Sequence, residues 1–153
     1  EGGVAVLATR GTGASRAYQQ ALHARLPGTD VRAVACPLLV PLIEEGWYDH
    51  EAMDATIQTY LRELDGFEFN RLILGCTHYP LIRERLAQAV GAGVQVIDSA
   101  AAVAAQLVQA GVAVGSGTST LAFSDDPTLS EHAVARIYPA PVHALRRLDW
   151  DRT

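Results

Sequence analysis

Apolar residues gather into four short runs in this chain, at residues 4–7, 31–35, 71–75 and 94–97. Short runs that are apolar on both faces are typical of strands buried inside a parallel sheet. A stretch with helical spacing follows each run, so strands and helices alternate along the sequence. This alternation predicts an α/β fold, a parallel sheet with flanking helices joined by right-handed crossovers.

Two of the predicted helices have a clear apolar face. The first runs over residues 15–26, and the second, capped by Asp49, runs over residues 49–64. The apolar positions on one face are Ala17, Ala21, Leu22 and Leu26 in the first helix, and Met53, Ile57, Tyr60, Leu61 and Leu64 in the second, which we expect to lie on a core. Shorter helices are predicted at 40–45, at 80–90 and from residue 99 onward.

The pattern weakens in the last third of the chain, where a strand at 121–123 and a short helix at 129–137 are predicted. This part has too little regular structure to form its own core. We therefore expect residues 1–100 to form one α/β lobe and residues 101–153 to be a return segment that packs on another lobe. The chain opens at Glu1, its only methionine is Met53 and no signal-peptide pattern is present, which we interpret as a piece of a longer protein.

Composition excludes several classes of function. The 12 basic residues, all arginine, face 17 acidic ones for a net charge of −5, and no basic run exists, so nucleic-acid binding has no electrostatic footprint. The longest uncharged stretch with the apolar character of a membrane span, 99–120, is broken by glutamines and glycines and does not predict such a span. Two cysteines are too few for a disulfide scaffold and fit a reducing compartment, so we expect a cytoplasmic protein.

Reactive groups stand where the predicted strands end, which is the edge at which open parallel sheets bind their ligands. The strongest candidate is Cys76, which comes after a strand and before a helix, with Thr77 and His78 in the same turn. A helix N-terminus favours a thiolate and offers backbone N–H groups to a carboxylate. The first strand is followed by Thr9, and the second by Cys36.

Each of these residues also has a purely structural interpretation. A cysteine at a strand end is most often a small buried hydrophobe, and Cys36, with no polar neighbour close by, keeps that interpretation. Thr9 and Thr12 are suited to capping the following helix, and Glu44 is suited to a solvated helix face. The two cysteines and His78 lack the paired spacing of zinc ligands, so we predict no metal site.

Four motifs, in order along the chain, carry a resemblance to a known family. Residues 75–80 read Gly-Cys-Thr-His-Tyr-Pro and closely resemble the second cysteine motif of glutamate racemases. Residues 7–12, 35–46 and 96–99 are similar to three further motifs of that family. The resemblance implies a cofactor-independent amino-acid racemase with two α/β lobes, of which this chain is one, and an active site between them. It also implies L- and D-glutamate as ligands, use of D-glutamate in bacterial peptidoglycan, and a homodimer as a frequent assembly.

The resemblance assigns roles to residues at matching positions. Cys76 is expected to take the α-proton from L-glutamate, while a second thiol acts on the opposite face of the α-carbon. His78 is expected to contact the substrate and assist proton movement, with Glu44 as its support. No lysine is present to anchor pyridoxal phosphate. The expected substrate-binding residues are Thr77, His78, Thr9 and Thr12.

Two motifs of the family's first lobe are missing from this sequence. The strings Asp-Ser-Gly and Cys-Asn-Thr occur nowhere in the 153 residues. We therefore interpret the chain as the second lobe and carboxyl-terminal tail, which has the first lobe as its partner and is inactive alone. Three alternatives stay open: a racemase for another acidic amino acid such as aspartate, a non-catalytic α/β ligand-binding module, and a stand-alone Cys-His hydrolase.

Overall fold

The computed structural model describes residues 2–112, 118–124, 126, 134–135, 138 and 142–148. The chain separates into two compact units, Glu1–Val108 and Gln109–Thr153. Among the described residues, the first unit has four β-strands and the second has two. In chain order they are β1 (Gly3–Ala8), β2 (Val31–Ala35), β3 (Phe69–Gly75), β4 (Gln95–Asp98), β5 (Thr120–Phe123) and β6 (Ala144–Arg147).

A parallel sheet forms the centre of the first unit. Its strands lie in the order β2-β1-β3-β4, and every neighbouring pair is parallel. β1 and β3 pair from Val4 opposite Arg71 to Ala8 opposite Gly75, so their carboxyl ends finish level with each other. The predicted α/β fold is therefore confirmed, and its four predicted strands are all present.

Helices connect these strands. The α-helices are α1 (Arg10–Ser15), α2 (Ala17–Arg25), α3 (Leu39–Glu44), α4 (Glu51–Leu61), α5 (Arg83–Val90) and α6 (Ser99–Gln109), and two short 3-10 helices span Arg62–Leu64 and Tyr79–Ile82.

The starts of α2 and α4 differ from the prediction. The first predicted helix corresponds to α2 and begins at Ala17 rather than at residue 15, because Arg16 adopts a left-handed conformation with φ 54° and separates it from α1. Asp49 does not cap α4. The N-cap is His50, whose Nδ1 accepts a hydrogen bond from the backbone N–H of Ala52 at 3.1 Å. The Asp49 carboxylate pairs instead with Arg85 at 3.2 Å.

The main core lies on one face of the sheet, where α3, α4 and α5 pack against the strands. Met53, Ile57 and Leu64 are almost fully buried there, and Tyr60 is mostly buried, as their helical spacing predicts. Leu61 is partly buried against the same cluster. This core reaches the carboxyl ends of the strands, because Leu7, Leu74 and Cys36, at the ends of β1, β3 and β2, belong to it.

The opposite face is covered more thinly. A small cluster of three β1 side chains lies there, namely Val4, Val6 and Ala8. On the apolar face of the first predicted helix, Ala17 and Ala21 are exposed, Leu22 is half-buried against this cluster and Leu26 is 54% exposed. Helical spacing reveals an apolar face but not whether the same chain supplies something to cover it. Helix α6 likewise has no buried residue.

In the second unit, β5 and β6 pair in parallel from Thr120 opposite Ala144 to Phe123 opposite Arg147. The helix predicted at 129–137 lies mostly outside the described residues. That residues 101–153 pack on a further lobe stays a prediction. In the part of the chain that the structure describes, no helix has the length and apolar character needed to cross a bilayer.

Candidate active site

The reactive side chains stand at the carboxyl edge of the sheet. Thr9 follows β1, Cys36 follows β2 and Cys76 follows β3. The strand order places β2 on one side of β1 and β3 on the other. The connections from β1 and to β3 therefore lead to opposite sides, which makes the gap between β1 and β3 a topological switch point. Open α/β sheets bind ligands at such a switch point, beyond the strand ends. Thr9 and Cys76 flank this point, because Ala8 and Gly75 are register partners.

Gly75 lets β3 approach its neighbours closely just before the thiol. A Cβ atom at this position would lie 2.9 Å from Cε2 of Tyr18 and 3.0 Å from the carbonyl oxygen of Leu7. The chain then leaves the strand in a turn, where the backbone N–H of Tyr79 donates to the carbonyl of Cys76 at 3.2 Å. The thiol is therefore held by the middle of the sheet.

The helix after the thiol begins later than the sequence predicts. A 3-10 helix, Tyr79–Ile82, follows the turn, and α5 starts only at Arg83. The backbone N–H of Leu81 donates to the carbonyl of His78 at 3.0 Å, which is the shorter spacing of a 3-10 turn. Because a helix dipole acts mainly within its first turn, stabilisation of a thiolate here depends on nearby side chains.

Cys76, His78 and Glu44 form a line of contacts. Sγ of Cys76 lies 3.9 Å from Nδ1 of His78, and Nε2 of the same ring lies 3.3 Å from Oε1 of Glu44. With Nε2–H donating to the carboxylate, Nδ1 of the neutral ring is free to accept a proton from the thiol. The structure thus brings together the three residues predicted to be catalytic. Their side chains stand at an open surface, since His78 is 37% and Glu44 62% exposed.

The three predicted substrate-binding threonines lie at the same edge. Oγ1 of Thr9 donates to Oγ1 of Thr12 at 3.1 Å and accepts a hydrogen bond from the backbone N–H of Thr12 at 3.4 Å. Thr9 is the N-cap of α1, as its structural interpretation predicts. Thr77 is exposed on the turn beside the thiol. Contact of these hydroxyls with a substrate stays a prediction.

Cys36 is a thiol of a different kind. It is fully buried, and its Sγ lies 3.6 Å from the carbonyl oxygen of Val34. Desolvation by burial raises its pKa from 9.0 to about 12. A thiol that ionises only at such high pH is inert near neutrality, so the structural interpretation of Cys36 applies.

Tyr79 is a residue that the sequence analysis does not single out. Its side chain is fully buried, its hydroxyl donates to the carbonyl of Cys36 at 3.1 Å, and burial raises the pKa of that hydroxyl above its usual value. The sequence offers one signal for a role of Tyr79, its position next to His78. It does not show the hydrogen-bond partner of the hydroxyl, which lies 43 residues away. Within the described ranges, no three His, Cys, Asp or Glu side chains are grouped closely enough to hold a metal ion.

Known proteins similar to this chain are racemases. A family model described as Asp/Glu/Hydantoin racemase matches residues 1–107. The glutamate racemase of Geobacter metallireducens is 42% identical over 113 residues, which cover 72% of this chain and 42% of that protein. The glutamate racemase of Syntrophus aciditrophicus is 43% identical over 109 residues, which cover 69% of this chain and 40% of that protein. The chain thus spans less than half the length of these relatives.

Solved structures agree with the sequence comparison. A glutamate racemase isoform from Bacillus anthracis matches with a TM-score of 0.82 at 25% identity, over 96% of this chain and 57% of that structure. The glutamate racemase of Francisella tularensis, solved with D-glutamate, matches with a TM-score of 0.81 at 25% identity, over 100% of this chain and 60% of that structure. The resemblance drawn from residues 75–80 is therefore confirmed. Since the family model covers well over half of its residues, this chain belongs to the Asp/Glu/Hydantoin racemase family.

Proposed function

We propose that this chain forms the second lobe of a glutamate racemase and supplies one of its two catalytic thiols. The observation that carries the proposal is the line of contacts from Cys76 through His78 to Glu44, at the edge where such sheets bind ligands. Both relatives described above that are more than 40% identical are glutamate racemases, which favours glutamate among the acidic amino acids.

Racemisation at the α-carbon removes a proton from one face and adds a proton to the other. In the proposed reaction the Cys76 thiolate takes the α-proton of L-glutamate and becomes a thiol, while a second thiol protonates the opposite face and becomes a thiolate. His78 prepares the starting state, because its Nδ1 accepts the Cys76 proton and Glu44 stabilises the charged ring. The reverse exchange converts D-glutamate into L-glutamate, and no cofactor takes part.

We place the second thiol outside this lobe. Cys36 is unsuited to the role because it is fully buried and its pKa is raised to about 12. The side of the site that carries His78 and Glu44 is open, as a surface that meets another lobe would be. The portion of the relatives that this chain does not span is the proposed first lobe and supplies the opposite face.

We further propose that Thr9, Thr12 and Thr77 border the carboxylates of the substrate. Thr9 and Thr12 lie at the end of β1, next to the strand that carries Cys76. Hydroxyls and backbone N–H groups that hold the α-carboxylate stabilise the negative charge that develops when the α-proton leaves. Closure of a second lobe over this edge would exclude water and strengthen those contacts.

In the cell, we propose that the D-glutamate enters peptidoglycan and that the reaction takes place in the cytoplasm. Cys36 and Cys76 are both free thiols, which fits a reducing compartment.

A homodimer, frequent among racemases of this kind, is the expected assembly, and sedimentation of the assembled enzyme tests it.

Exchange of the α-proton with solvent tests the proposed function. Protein that carries this chain together with the first lobe is incubated with L-glutamate in D₂O, and loss of the α-proton and formation of D-glutamate are followed by NMR and chiral analysis. We expect exchange with inversion, and a loss of at least about a hundredfold in the Cys76→Ser variant. The matched control is Cys36→Ala, which removes the inert thiol and should retain exchange.

The possible results separate the hypotheses. Undiminished exchange in the Cys76→Ser variant would refute the role of this thiol. Faster turnover of L-aspartate than of L-glutamate would identify a racemase for aspartate. Rapid deuteration with inversion by this chain alone would refute the division of the site between two lobes. Absence of exchange in the two-lobed protein, with either substrate, would favour the non-catalytic ligand-binding module.

A further inference from the structure

Tyr79 links the turn that carries the thiol to the turn that follows β2. Its backbone N–H donates to the carbonyl of Cys76 at 3.2 Å, and its hydroxyl donates to the carbonyl of Cys36 at 3.1 Å. The side chain is fully buried, so water cannot take over either contact without a cavity opening. One residue therefore holds the ends of β2 and β3, which β1 separates in the sheet, in a defined relation.

The carbonyl of Cys36 is also the point from which α3 starts. It accepts a second hydrogen bond, from the backbone N–H of Leu39 at 3.3 Å, and Leu39 is the first residue of α3. The N-cap residue of α3 provides no side-chain hydrogen bond. The placement of this helix thus depends on contacts made by other segments. The Tyr79 hydroxyl donates to the same carbonyl oxygen that accepts the hydrogen bond from the first residue of α3.

Helix α3 ends at Glu44, whose carboxylate lies 3.3 Å from Nε2 of His78. The contacts therefore close a ring: from His78 to its neighbour Tyr79, to the carbonyl of Cys36, along α3 to Glu44 and back to His78. A six-residue helix is too short to be stable alone. An ion pair between exposed groups contributes little by itself, so Glu44 needs this support to stay beside the ring.

We propose that Tyr79 is a positioning residue, whose hydroxyl sets the start of α3 so that Glu44 holds the His78 ring with Nδ1 toward the Cys76 sulfur. Its relevance to racemisation rests on the proposed function, but the coupling itself is a property of this chain. A merely structural Tyr79 would satisfy a buried carbonyl and fill space, and its loss would lower stability without acting through Glu44.

A double-mutant cycle on the rate of Cys76 alkylation separates these two roles. Four proteins are compared: the unchanged chain, Glu44→Gln, Tyr79→Phe and the double variant. Iodoacetamide is added at about pH 8, where buried Cys36 stays protonated, and peptide mass spectrometry assigns the label to Cys76. Ile57→Val, a core substitution in α4 that removes none of the hydrogen bonds in the ring of contacts, is the control for a general loss of stability.

We expect each single variant to lower the alkylation rate of Cys76 by about threefold or more, and the double variant to lower it no further than the more impaired of the two single variants. Ile57→Val should leave the rate unchanged. An unchanged rate in Tyr79→Phe would overturn the proposal. So would a double variant whose loss equals the product of the two single losses.

A second measurement does not depend on the folding of the Tyr79→Phe variant. Coupling is reciprocal, so removal of the Glu44 charge should loosen the other end of the ring. Glu44→Gln should therefore speed hydrogen exchange at the backbone amide of Leu39, and equal exchange in both proteins would overturn the proposal. Neither measurement involves turnover of glutamate, so a failure here is distinct from a failure of the proposed function.

Discussion

Gly75 offers a sharp test of how the sheet holds the thiol. In Gly75→Ala the new methyl group would lie 2.9 Å from Cε2 of Tyr18, 3.0 Å from the carbonyl oxygen of Leu7 and 3.2 Å from Cγ1 of Val6. The Tyr18 ring is only partly buried and can turn aside. The Leu7 carbonyl cannot, because it belongs to a strand paired on both sides.

The magnitude follows from two opposing effects. Overpacking of this kind destabilises a protein by about 1–3 kcal/mol. The reduced freedom of the unfolded chain returns about 0.4–1 kcal/mol when glycine is replaced by alanine. We therefore expect a net loss of about 1–2 kcal/mol in the free energy of unfolding, and a Tm lower by roughly 5–10 °C for a unit of this size.

Thermal and urea unfolding, followed by circular dichroism, measure this loss. Gly93→Ala is the matched control, since a Cβ atom there would meet nothing within 4 Å and Gly93 does not adopt a positive φ. The control should be neutral or slightly more stable than the unchanged chain. If Gly75→Ala unfolded at the same temperature as Gly93→Ala, the reasoning from close strand approach would be refuted.

Two further predictions concern buried groups. Burial raises the pKa of Cys36 from 9.0 to about 12, so the folded chain holds this proton more tightly than the unfolded chain; the resulting stability is complete below about pH 9 and is lost as the pH rises toward about 12. Urea titrations over this range should show a smaller decline for Cys36→Ala, and an equal decline would contradict the assignment. Arg83 donates through Nε to the buried carboxylate of Asp98 at 3.0 Å, so Arg83→Met should lower the free energy of unfolding by about 1–3 kcal/mol. The acidic partners of Arg85 are exposed, so Arg85→Met should lower the free energy of unfolding less. Equal losses in the two variants would argue against the role of burial.

The sequence predicts the strands of this fold well because each is a short run with apolar residues on both faces. A strand buried on both faces leaves that signature whatever the rest of the chain does. The place of Cys76 follows from it, since a residue just after a parallel strand lies at the edge where ligands bind. The approach of Glu44 to His78 came from the family resemblance, because spacing along the chain does not show that they meet.

Other features depend on contacts that spacing cannot reveal. The apolar face of α2 resembles a buried one, but whether it is covered depends on surfaces that lie elsewhere. The break between α1 and α2 falls at Arg16, which adopts a left-handed conformation although it is not a glycine, so its residue type does not indicate the break. The hydrogen bond from Tyr79 to Cys36 joins residues far apart in sequence, and neither residue type demands it. The sequence therefore predicts where the candidate site lies better than it predicts the contacts that hold its residues in place.

Because β3 is a central strand, the Cys76 end of the site opens less often in local fluctuations than the Glu44 end does. β3 lies between β1 and β4 and ends at Gly75, directly before Cys76. Amides in such strands exchange with solvent mainly through global unfolding. Glu44 is 62% exposed and ends α3, whose last turn can fray in local fluctuations that leave the sheet and the buried start of the helix intact. The thiol thus keeps its place when this turn frays, and each such event interrupts its activation by the carboxylate without displacing the sulfur.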